Sequence, residues 1–343
     1  METKDNNLIG VIGDLHFRES LSYADHVSDR RVDERRKVLN FIVDSFKDCS
    51  HIVLLGDCFD NRNPQAEVVK DFVNFIEMFG DKNIYIISGN HSKKGNGTTA
   101  IDFLKEIKGK ENWHIYTKFG SAKIGLYDVD FLPYMLHSEL EVDNRDDAID
   151  KIMKSVKGGD IIFAHHSISG TSFNGIKTDT LNEIVLPKDK LEKKYGLVVA
   201  GHIHAPQQVG RTLISGNIFT TEVGETEKFI WKIKNDLGVE KIKIPQRGIY
   251  KLENPTLKQI TDLPKDSIAK IIVTDKSLDI HSLKVVADGL DAYLLIEDYP
   301  SSRKKMHIKE GAMGFSIEAL LKLYAKERNV DEGKLLKGLS LIN

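Results

Sequence analysis

The stretch LIGVIGDLHF, residues 8–17, decides how the rest of the chain is interpreted. Mostly apolar residues run as far as Gly13, and Asp14 and His16 then stand two positions apart. A continuous apolar run of this kind is typical of a strand that is buried on both faces. A carboxylate and an imidazole at the end of such a strand are groups that bind divalent metal ions. The stretch therefore predicts a buried strand that ends in metal ligands.

The same arrangement recurs after four further apolar runs. The runs at residues 51–56, 83–89, 160–164 and 196–201 lead into polar side chains, which are Asp57 and Asp60, Asn90 and His91, His165 and His166, and His202 and His204. Because ligands collect beyond the carboxyl ends of the strands in sheets of this kind, we expect these side chains to meet in one pocket. Glycine precedes most of them, where the backbone turns sharply and often needs a positive φ. The spacing of two within the Asp14/His16 and His202/His204 pairs predicts that both side chains of a pair share one face of an extended segment.

Short apolar runs alternate with amphipathic helices through about residue 245. Residues 32–46 place Leu39, Ile42 and Phe46 at helical spacing. A second helix is expected to begin with Asn63 as its N-cap and Pro64 in its first turn. Strands separated by helices indicate an α/β fold whose central sheet is covered on both faces. Runs at residues 210–216, 228–234 and 239–245 predict an antiparallel addition, so the sheet, or pair of packed sheets, is mixed.

A domain boundary is predicted between residues 245 and 255. Residues 1–245 then form the main domain, and residues 246–300 form a small domain with a strand–helix–strand pattern at 270–275, 281–290 and 292–298. The basic segment SSRKKMHIK is expected to be a solvated linker, with contact to a DNA backbone as the alternative. Residues 301–343 hold this linker and two short helices. One apolar stripe at helical spacing comprises Ile317, Leu320, Leu321 and Tyr324.

Composition narrows the class of protein. The 343 residues carry a formal net charge of −2, so no overall basic field indicates nucleic acid, although a local patch can supply phosphate contacts. Cys49 and Cys58 form no CxxC pair, which argues against a structural zinc site and a disulfide framework. The sequence METKDNN lacks the apolar core of a signal peptide, and no apolar run could span a bilayer. We expect a cytoplasmic protein, in the host cytoplasm if phage-encoded, with no membrane partner.

Seven side chains form the predicted ligand set, namely Asp14, His16, Asp57, Asn90, His165, His202 and His204. This set is too large for one tetrahedral ion but sufficient for two ions that share Asp57. The mixture of nitrogen and oxygen donors suits Mn²⁺, Fe or Zn²⁺ better than Ca²⁺ or Mg²⁺. We expect two divalent ions, Mn²⁺ first, with Fe, Zn²⁺ or Mg²⁺ as alternatives.

The charge of such a pair indicates the substrate. Two divalent ions bring four positive charges and the two carboxylates cancel two, so hydroxide and a phosphate oxyanion are the natural counterions. Two ions about 3.5–4 Å apart can activate water and hold the phosphorus for in-line attack. The imidazole of His91 is the candidate that protonates the leaving oxygen. The residues therefore predict hydrolysis of a phosphate ester.

The complete series resembles the calcineurin-like metallophosphoesterase superfamily in its order. The motifs that match are Asp14-x-His16, Gly56-Asp57-x-x-Asp60, Gly89-Asn90-His91, His165 and Gly201-His202-x-His204. The resemblance implies one metal ion on Asp14, His16, Asp57 and His204, and the other on Asp57, Asn90, His165 and His202. It also implies a two-sheet sandwich flanked by helices, with His91 beside the phosphate. The chain departs from the family at Ser92, where an acid usually raises the basicity of the preceding histidine.

A narrower resemblance concerns the SbcD-type DNA exonuclease, the bacterial and phage counterpart of the meiotic recombination eleven nuclease. It rests on LLGDCFDNRNP, residues 54–64, and on the GE-x-E-K pattern of Gly224, Glu225, Glu227 and Lys228. The resemblance implies a nuclease of DNA repair and recombination, with exonuclease activity on duplex ends and endonuclease activity on single strands. It implies a homodimer with a small capping domain, whose C-terminal helices dock on an SMC-like ATPase of the SbcC type.

Two other functions stay open from the sequence. Another member of the superfamily would share the metal ligands and act on nucleotides or phosphoproteins. A scaffold protein whose catalysis has decayed is the second alternative, and Ser92 suggests it. At the level of single residues, Asp60 either caps a turn or contacts substrate, and His166 faces either the pocket or the core.

Overall fold

The structure of the protein is a computed structural model. It describes residues 8–18, 28–94, 98–173, 175–220, 225 and 227–298. The described residues as far as Glu297 belong to one compact unit, and Asp298 belongs to a second unit that continues to Asn343. The predicted linker and C-terminal helices, with the stripe on residues 317–324, lie outside the described residues, as does Gly224.

Nineteen strands and seven α-helices are found among the described residues. The strands are β1 (Ile9–Ile12), β2 (His51–Leu54), β3 (Asn83–Ile87), β4 (Trp113–Tyr116), β5 (Gly120–Ile124), β6 (Tyr127–Leu132), β7 (Gly159–Ala164), β8 (Ser167–Ile168), β9 (Ser172–Phe173), β10 (Ile176–Lys177), β11 (Val185–Leu186), β12 (Tyr195–Ala200), β13 (Gln207–Val209), β14 (Thr212–Ile214), β15 (Phe229–Ile233), β16 (Val239–Lys243), β17 (Ile249–Glu253), β18 (Ile268–Val273) and β19 (Ala292–Glu297). The helices are α1 (Ser28–Ser45), α2 (Ala66–Glu77), α3 (His137–Leu140), α4 (Arg145–Ser155), α5 (Lys188–Lys194), α6 (Leu257–Thr261) and α7 (Ile280–Ala287).

The first large sheet has six strands in the order β16-β15-β1-β2-β3-β4. Strands β1 to β4 run parallel, and α1 and α2 provide the crossovers that parallel neighbours require. Strand β1 is central, because Gly10 pairs with Ile52 of β2 on one side and with Lys232 of β15 on the other. Strands β15 and β16 add to this sheet in antiparallel fashion, as the sequence predicts.

The second large sheet has the order β13-β14-β12-β7-β6-β5. Its four inner strands are parallel, and the two edge strands are antiparallel to their neighbours. Residues 210–216 were predicted to form part of an antiparallel addition. This was wrong for the main pairing of β14, because β14 runs parallel to its neighbour β12. Only the short strand β13 is antiparallel to β14, across a turn with Gly210 at φ 64°. The polar three-residue β13 carries no apolar pattern that would reveal it.

The two sheets pack face to face between helices. Val11 of the first sheet and Phe163 of the second belong to one buried cluster between the sheets. Ile12, the next position, points the other way into a cluster with α1 and α2, as alternation along a strand requires. Val198 likewise faces a third cluster that includes residues of α4 and α5. The mixed two-sheet α/β sandwich flanked by helices is thus confirmed.

Helix α2 begins later than predicted. Its first residue is Ala66, and Gln65 is its N-cap without a side-chain hydrogen bond. The predicted cap, Asn63, instead donates its backbone N–H to Asn61 Oδ1 at 3.0 Å. Pro64 disfavours the helical conformation for the residue before it, which keeps Asn63 out of the helix. The consequence is an ordered loop between β2 and α2 rather than an early helical turn.

A three-stranded parallel sheet, β17-β18-β19, follows the sandwich. Helix α7 connects β18 to β19, which agrees with the strand–helix–strand pattern of the sequence. Arg247, just before β17, contacts both Glu34 of α1, at 3.4 Å between Nε and Oε2, and Asp291 before β19. The division of the chain into domains at residues 245 and 300 stays a prediction.

Candidate metal centre

Five strands from the two large sheets end at one common edge. The loops that follow them are joined directly, since His16 N donates to Asp57 O at 2.8 Å and Gly201 N donates to Ala164 O at 3.0 Å. The two sheets are also linked, because the imidazole Nδ1 of His165 lies 2.6 Å from Leu55 O and donates to it. All seven predicted ligands lie in these loops, at Asp14, His16, Asp57, Asn90, His165, His202 and His204.

Two glycines permit the close approach of these loops. A Cβ atom on Gly89 would lie 2.1 Å from Asp57 Oδ1, and one on Gly201 would lie 2.5 Å from Asp14 Oδ1. Real Cβ contacts do not occur at such distances, so a side chain at either position would displace a carboxylate of the site. Gly89 and Gly201 are needed because the loops approach closely, not because the backbone has a positive φ there. Among the motif glycines, the positive φ that the sequence suggested is found at Gly56.

Three of the predicted ligands themselves have a positive φ. His16, Asp57 and His202 have φ values of 46°, 39° and 78°. A non-glycine residue in this region carries about 1–2 kcal/mol of strain, and such residues cluster at functional sites. The prediction that each pair shares one face of an extended segment was therefore wrong. The side chains converge because the backbone twists at the ligand.

The first donor group comprises Asp14, His16 and His204, whose candidate ligand atoms lie within 4.8 Å of one another. The Nε2 atoms of His16 and His204 lie 3.0 Å apart. The Nδ1 atom of His16 lies 3.3 Å from Asp60 Oδ1, and that of His204 lies 3.5 Å from Glu225 Oε1. When both rings are neutral and carry the proton on Nδ1, the nitrogen that faces a carboxylate, their two Nε2 lone pairs turn toward each other. A cation between the Nε2 atoms makes that arrangement favourable.

The second donor group is centred on the side-chain oxygen of Asn90. Asn90 Oδ1 lies 3.1 Å from His165 Nε2 and 3.0 Å from His202 Nδ1, and Asp57 Oδ2 lies 3.2 Å from His165 Nε2. Donor atoms that sit 2.0–2.2 Å from one ion at right angles are about 3 Å apart. These separations place Asn90 beside both imidazoles, but the candidate group of ligand atoms within 4.8 Å here is Asp14, Asp57 and His165, and it does not include His202.

A single oxygen atom connects the two groups. Asp57 Oδ2 lies 3.2 Å from His165 Nε2 in the second group and 3.9 Å from His16 Nε2 in the first. The other oxygen, Oδ1, accepts the backbone N–H of His91 at 2.9 Å, which fixes the carboxylate plane. Asp57 is therefore a carboxylate that two ions would share if each donor group held one.

The charges of the pocket favour cations. Burial raises the pKa of Asp57, but the positive charges of His165, His16 and His91 outweigh burial and the pKa is lowered. For His165, burial lowers the pKa, and the carboxylates of Asp57 and Asp14 reverse this and raise it to about 9. The buried carboxylates thus keep a proton on His165 in the absence of metal. Metal binding would release this proton.

Carboxylates lie behind two of the imidazoles. Glu183 Oε2 lies 2.9 Å from His202 Nε2, and it is further held by the hydroxyl of Ser167. Glu225, from the predicted GE-x-E-K turn, faces His204 and lies 2.8 Å from Lys228 Nζ. Such partners orient a metal-binding imidazole and fix its tautomer. Sequence reasoning missed Glu183, because no apolar strand leads into it.

His91 is held by a main-chain group. Its Nδ1 lies 2.7 Å from the carbonyl oxygen of Asp60, which can only accept, so Nδ1 carries the proton. The ring also stands edge-on to His16, with 4.8 Å between the centroids. Ser92, where the family usually has an acid, is buried, and its Oγ has no hydrogen-bond partner among the described residues. The Asp60 carbonyl thus orients the ring of His91 although position 92 has no acid.

Asp60 and His166, the predicted substrate contacts, lie in different surroundings. The Asp60 carboxylate is directed at His16 and at Arg18 Nη1, 3.3 Å away. His166 is fully buried and stacks on Tyr134 with 5.1 Å between ring centroids. Burial lowers the pKa of His166 to about 3, with the neighbouring His202 and His165 adding to the effect. Contact of either side chain with substrate stays a prediction, and the burial of His166 gives it no support.

Comparison with known proteins identifies the family. Residues 8–206, which include every residue of both donor groups, match the sequence model of the family described as Calcineurin-like phosphoesterase. The chain belongs to the calcineurin-like phosphoesterases. The matched region also spans His91, Asp60 and Glu183, and it ends two residues beyond His204.

Similar proteins are distant in sequence. The chain is 23% identical over 281 residues to "Putative phosphoesterase 244L" of Invertebrate iridescent virus 6, covering 80% of this chain and 88% of that protein. Among solved structures, a single mutant of Vps29 from Entamoeba histolytica is 12% identical and has a TM-score of 0.28, covering 69% of this chain and 99% of that one. A hypothetical protein from Thermus thermophilus is 11% identical with a TM-score of 0.37, covering 69% and 100%.

The site fits the metal content of this phosphoesterase family, whose members generally bind two divalent ions. Three candidate groups of ligand atoms, within 4.8 Å in each case, are found among the described residues, and His16, Asp14 and Asp57 each belong to two of them. Besides Asp14, His16 and His204, the groups are His16 with Asp57 and His91, and Asp14 with Asp57 and His165. In the part of the chain that the structure describes, no helix has the length and apolar character needed to cross a bilayer.

Proposed function

We propose that this phosphoesterase is a dinuclear-metal DNA nuclease of the SbcD type. The observation that carries the proposal is the position of Asp57 Oδ2 between two donor groups, at 3.2 Å from His165 Nε2 and 3.9 Å from His16 Nε2. A shared carboxylate oxygen between two groups of imidazoles supports a pair of ions, and a pair of ions suits a phosphodiester.

The seven side chains divide between the two ions as the donor groups do. Asp14, His16 and His204 would hold one ion, and Asn90, His165 and His202 the other, with Asp57 shared. Two divalent ions, of which Mn²⁺ is our first choice, lower the pKa of water and neutralise the charge of the phosphoryl oxygens when bound. Glu183 and Glu225 would hold the imidazoles of His202 and His204 in the orientation that the ions need.

His91 supplies the proton for the leaving oxygen. The oxygen of water forms a bond to phosphorus while the bond from phosphorus to the leaving oxygen breaks. With Nδ1 committed to the Asp60 carbonyl, Nε2 is the nitrogen that donates its proton to that leaving oxygen. His91 is then neutral, and the proton lost by the water restores its charged form. The products are a phosphomonoester and an alcohol, and Asp60 holds the ring in one tautomer throughout.

We propose DNA as the substrate because the sequence resembles the SbcD-type DNA exonuclease. The GE-x-E-K stretch, which follows the last ligand pair in that family, contributes Glu225 against His204 in this chain. A small parallel sheet follows the sandwich, as the capping domain of that family would. On the same ground we propose a homodimer that acts beside an SMC-like ATPase of the SbcC type. Light scattering of the full-length chain after size-exclusion chromatography tests the homodimer, and capture of such an ATPase by it tests the complex.

The experiment compares four substrates with one purified protein. Linear duplex DNA, circular single-stranded DNA, a deoxynucleoside monophosphate and bis-p-nitrophenyl phosphate are each incubated with Mn²⁺ and, separately, with a chelator. We expect metal-dependent cleavage of both DNA forms and of the diester. The Asp57→Asn variant should lose this activity, and Asp33→Asn, on the exposed surface of α1, serves as the matched control.

Different results would favour different functions. Cleavage of the monophosphate, or of a phosphopeptide added as a fifth substrate, with none of DNA, would replace the nuclease by another phosphoesterase of the family. Hydrolysis of no substrate, by a protein that still binds Mn²⁺, would favour the scaffold that Ser92 suggested. The bond from His91 to Asp60 supports an active enzyme instead, because the ring has a fixed partner without the missing acid.

A further inference from the structure

An open cleft lies directly beside His91. It has a volume of about 390 Å³ and is lined by Asp60, Asn61, Arg62, Asn63, Asn90 and His91. Four of these six residues belong to the loop between β2 and α2, and the other two belong to the candidate site itself. A group that occupies this cleft would therefore touch His91 on one side and the loop on the other.

The loop presents Arg62 at its tip. Asn61 Oδ1 accepts the backbone N–H of Asn63 at 3.0 Å, which closes a turn around Arg62. Pro64 follows and restricts the backbone after the turn. The side chain of Arg62 is exposed at the cleft rather than packed into the fold. The turn thus holds an arginine beside the site with little backbone freedom.

Arg62 differs from the other arginines whose side chains the structure describes. Those arginines have their partners within the fold, in the pairs Arg18 with Asp60, Arg35 with Asp71, Arg36 with Asp33, Arg145 with Leu181 O, Arg211 with Glu192 O, and Arg247 with Glu34. The guanidinium of Arg62 makes no ion pair or hydrogen bond with any residue of the described chain. The carboxylate in the cleft, Asp60, is already paired with Arg18. The positive charge of Arg62 is therefore not neutralised by the described part of the protein.

We propose that Arg62 binds a phosphate on the leaving group, so that the preferred leaving group is a nucleotide with a further phosphate. The inference rests on the proposed function, in which His91 protonates the leaving oxygen. That role places the leaving group on the His91 side of the scissile phosphate, which is the side of the cleft. A guanidinium group binds phosphate through paired hydrogen bonds and opposite charge. Arg62 lines the cleft, and its positive charge is not neutralised by the described residues.

The test uses thymidine dinucleotides that differ by one phosphate. One dinucleotide has no terminal phosphate, one carries it at the 5′ end and one at the 3′ end. The products identify which half is the leaving group, so one of the two phosphorylated substrates places its phosphate on the leaving side. For wild-type protein with Mn²⁺ we expect kcat/KM to be higher for that substrate than for the unphosphorylated dinucleotide.

Variants at position 62 should change this preference. In Arg62→Gln the ratio of the two kcat/KM values should fall about five- to tenfold, as expected for one charge-assisted contact at a partly exposed site. Arg62→Lys should recover part of the ratio, because it keeps the charge but not the planar fork. Arg36→Gln removes the same charge from exposed α1 and should leave the ratio as in wild type. The salt dependence of kcat/KM should also weaken in Arg62→Gln alone.

The outcomes separate the inference from the function on which it rests. If wild-type protein hydrolyses neither bis-p-nitrophenyl phosphate nor any dinucleotide, the proposed function fails. If it hydrolyses them and Arg62→Gln lowers all rates equally, or lowers none, the role of Arg62 is overturned. An equal change of the ratio in Arg36→Gln would overturn it too, because the effect would then be one of net charge.

Discussion

The imidazole Nδ1 of His91 donates its proton to the main-chain carbonyl of Asp60, with 2.7 Å between the two atoms. The bond connects the loop after β3 to the loop after β2, so the ring is oriented by the backbone of a neighbouring strand end. A carbonyl cannot take up the proton, which leaves Nε2 as the nitrogen available for acid catalysis. The support does not depend on the side chain at position 60, and it does not require an acid in place of Ser92.

The first prediction concerns His91 itself. Replacing His91 by Asn removes the proton donor, so hydrolysis of a phosphodiester should fall by about 10²–10⁴-fold. The predicted ligands of both ions remain, so Mn²⁺ binding measured by titration calorimetry should stay close to that of wild type. Loss of Mn²⁺ binding in this variant would instead make His91 a ligand, as its place in one of the three candidate groups allows.

Asp60 provides the matched control for that variant. Asp60→Asn keeps the carbonyl that holds His91 and removes only the carboxylate charge beside Arg18 and His16. Because the lost carboxylate faces His16, a predicted ligand, Mn²⁺ affinity should fall about 10–100-fold, while turnover at saturating Mn²⁺ should fall roughly fivefold or less. A loss of turnover as large as that of His91→Asn would show that the carboxylate, and not the carbonyl, is the group that matters.

The second prediction concerns the carboxylates behind the imidazoles. Glu183→Gln and Glu225→Gln remove the negative charge facing His202 and His204, and each should weaken Mn²⁺ binding about 10–100-fold. Glu227→Gln is the control for the same turn, since Glu227 is exposed and pairs with Lys243. Titration calorimetry with Mn²⁺ measures all three. Equal affinities in the Glu225 and Glu227 variants would contradict the orienting role of Glu225.

The third prediction concerns close packing at Gly89. A Cβ in Gly89→Ala would lie 2.1 Å from Asp57 Oδ1, so the shared carboxylate must move and both Mn²⁺ affinity and activity should be lost. Gly80→Ala is the control, because no atom lies within 4 Å of its added Cβ and only its positive φ of 62° opposes the change. That control should cost about 1 kcal/mol of stability and keep full activity, as chemical denaturation and a rate assay would show. Retained Mn²⁺ binding in Gly89→Ala would contradict the bridging position of Asp57.

The sequence predicted the parts of the site that follow strong apolar runs. Asp14, Asn90 and His202 each come directly after a buried strand, and parallel strands bring their carboxyl ends to one edge. The left-handed backbone at His16 could not be predicted from the sequence, because only a small fraction of residues adopt a positive φ even among the enriched types, Asn, Asp and His. Glu183 was also missed, since it lies between two-residue strands that carry no periodic pattern.

The fold, like the site, was predicted from the sequence in part. The order of strands and helices in the two large sheets follows from alternation of apolar runs with amphipathic helices. The parallel pairing of β14 with β12 depends on the loop that carries His202 and His204, and the sequence shows only the proximity of the later strands. Helix α2 was predicted two residues early, because Pro64 is as typical of the loop before a helix as of its first turn.

The fourth prediction concerns pH and the buried His166. Its folded-state pKa of about 3 lies below the ordinary value of 6.5, chiefly because burial opposes the charged ring. Above pH 6.5 the ring is neutral in both folded and unfolded chains, and its contribution to stability is complete. As pH falls from 6.5 toward 3, the unfolded chain binds a proton that the folded chain does not. Stability is therefore lost at up to about 1.4 kcal/mol per pH unit.

His166→Phe removes this titration and keeps a ring that can stack on Tyr134. With a chelator present throughout, urea denaturation at pH 7 and pH 5 should show that wild type loses about 2 kcal/mol more free energy of unfolding than the variant. The comparison between the two proteins cancels the titration of groups that they share. Parallel losses in wild type and variant would mean that the ring is protonated or hydrated in the folded chain, in conflict with its complete burial.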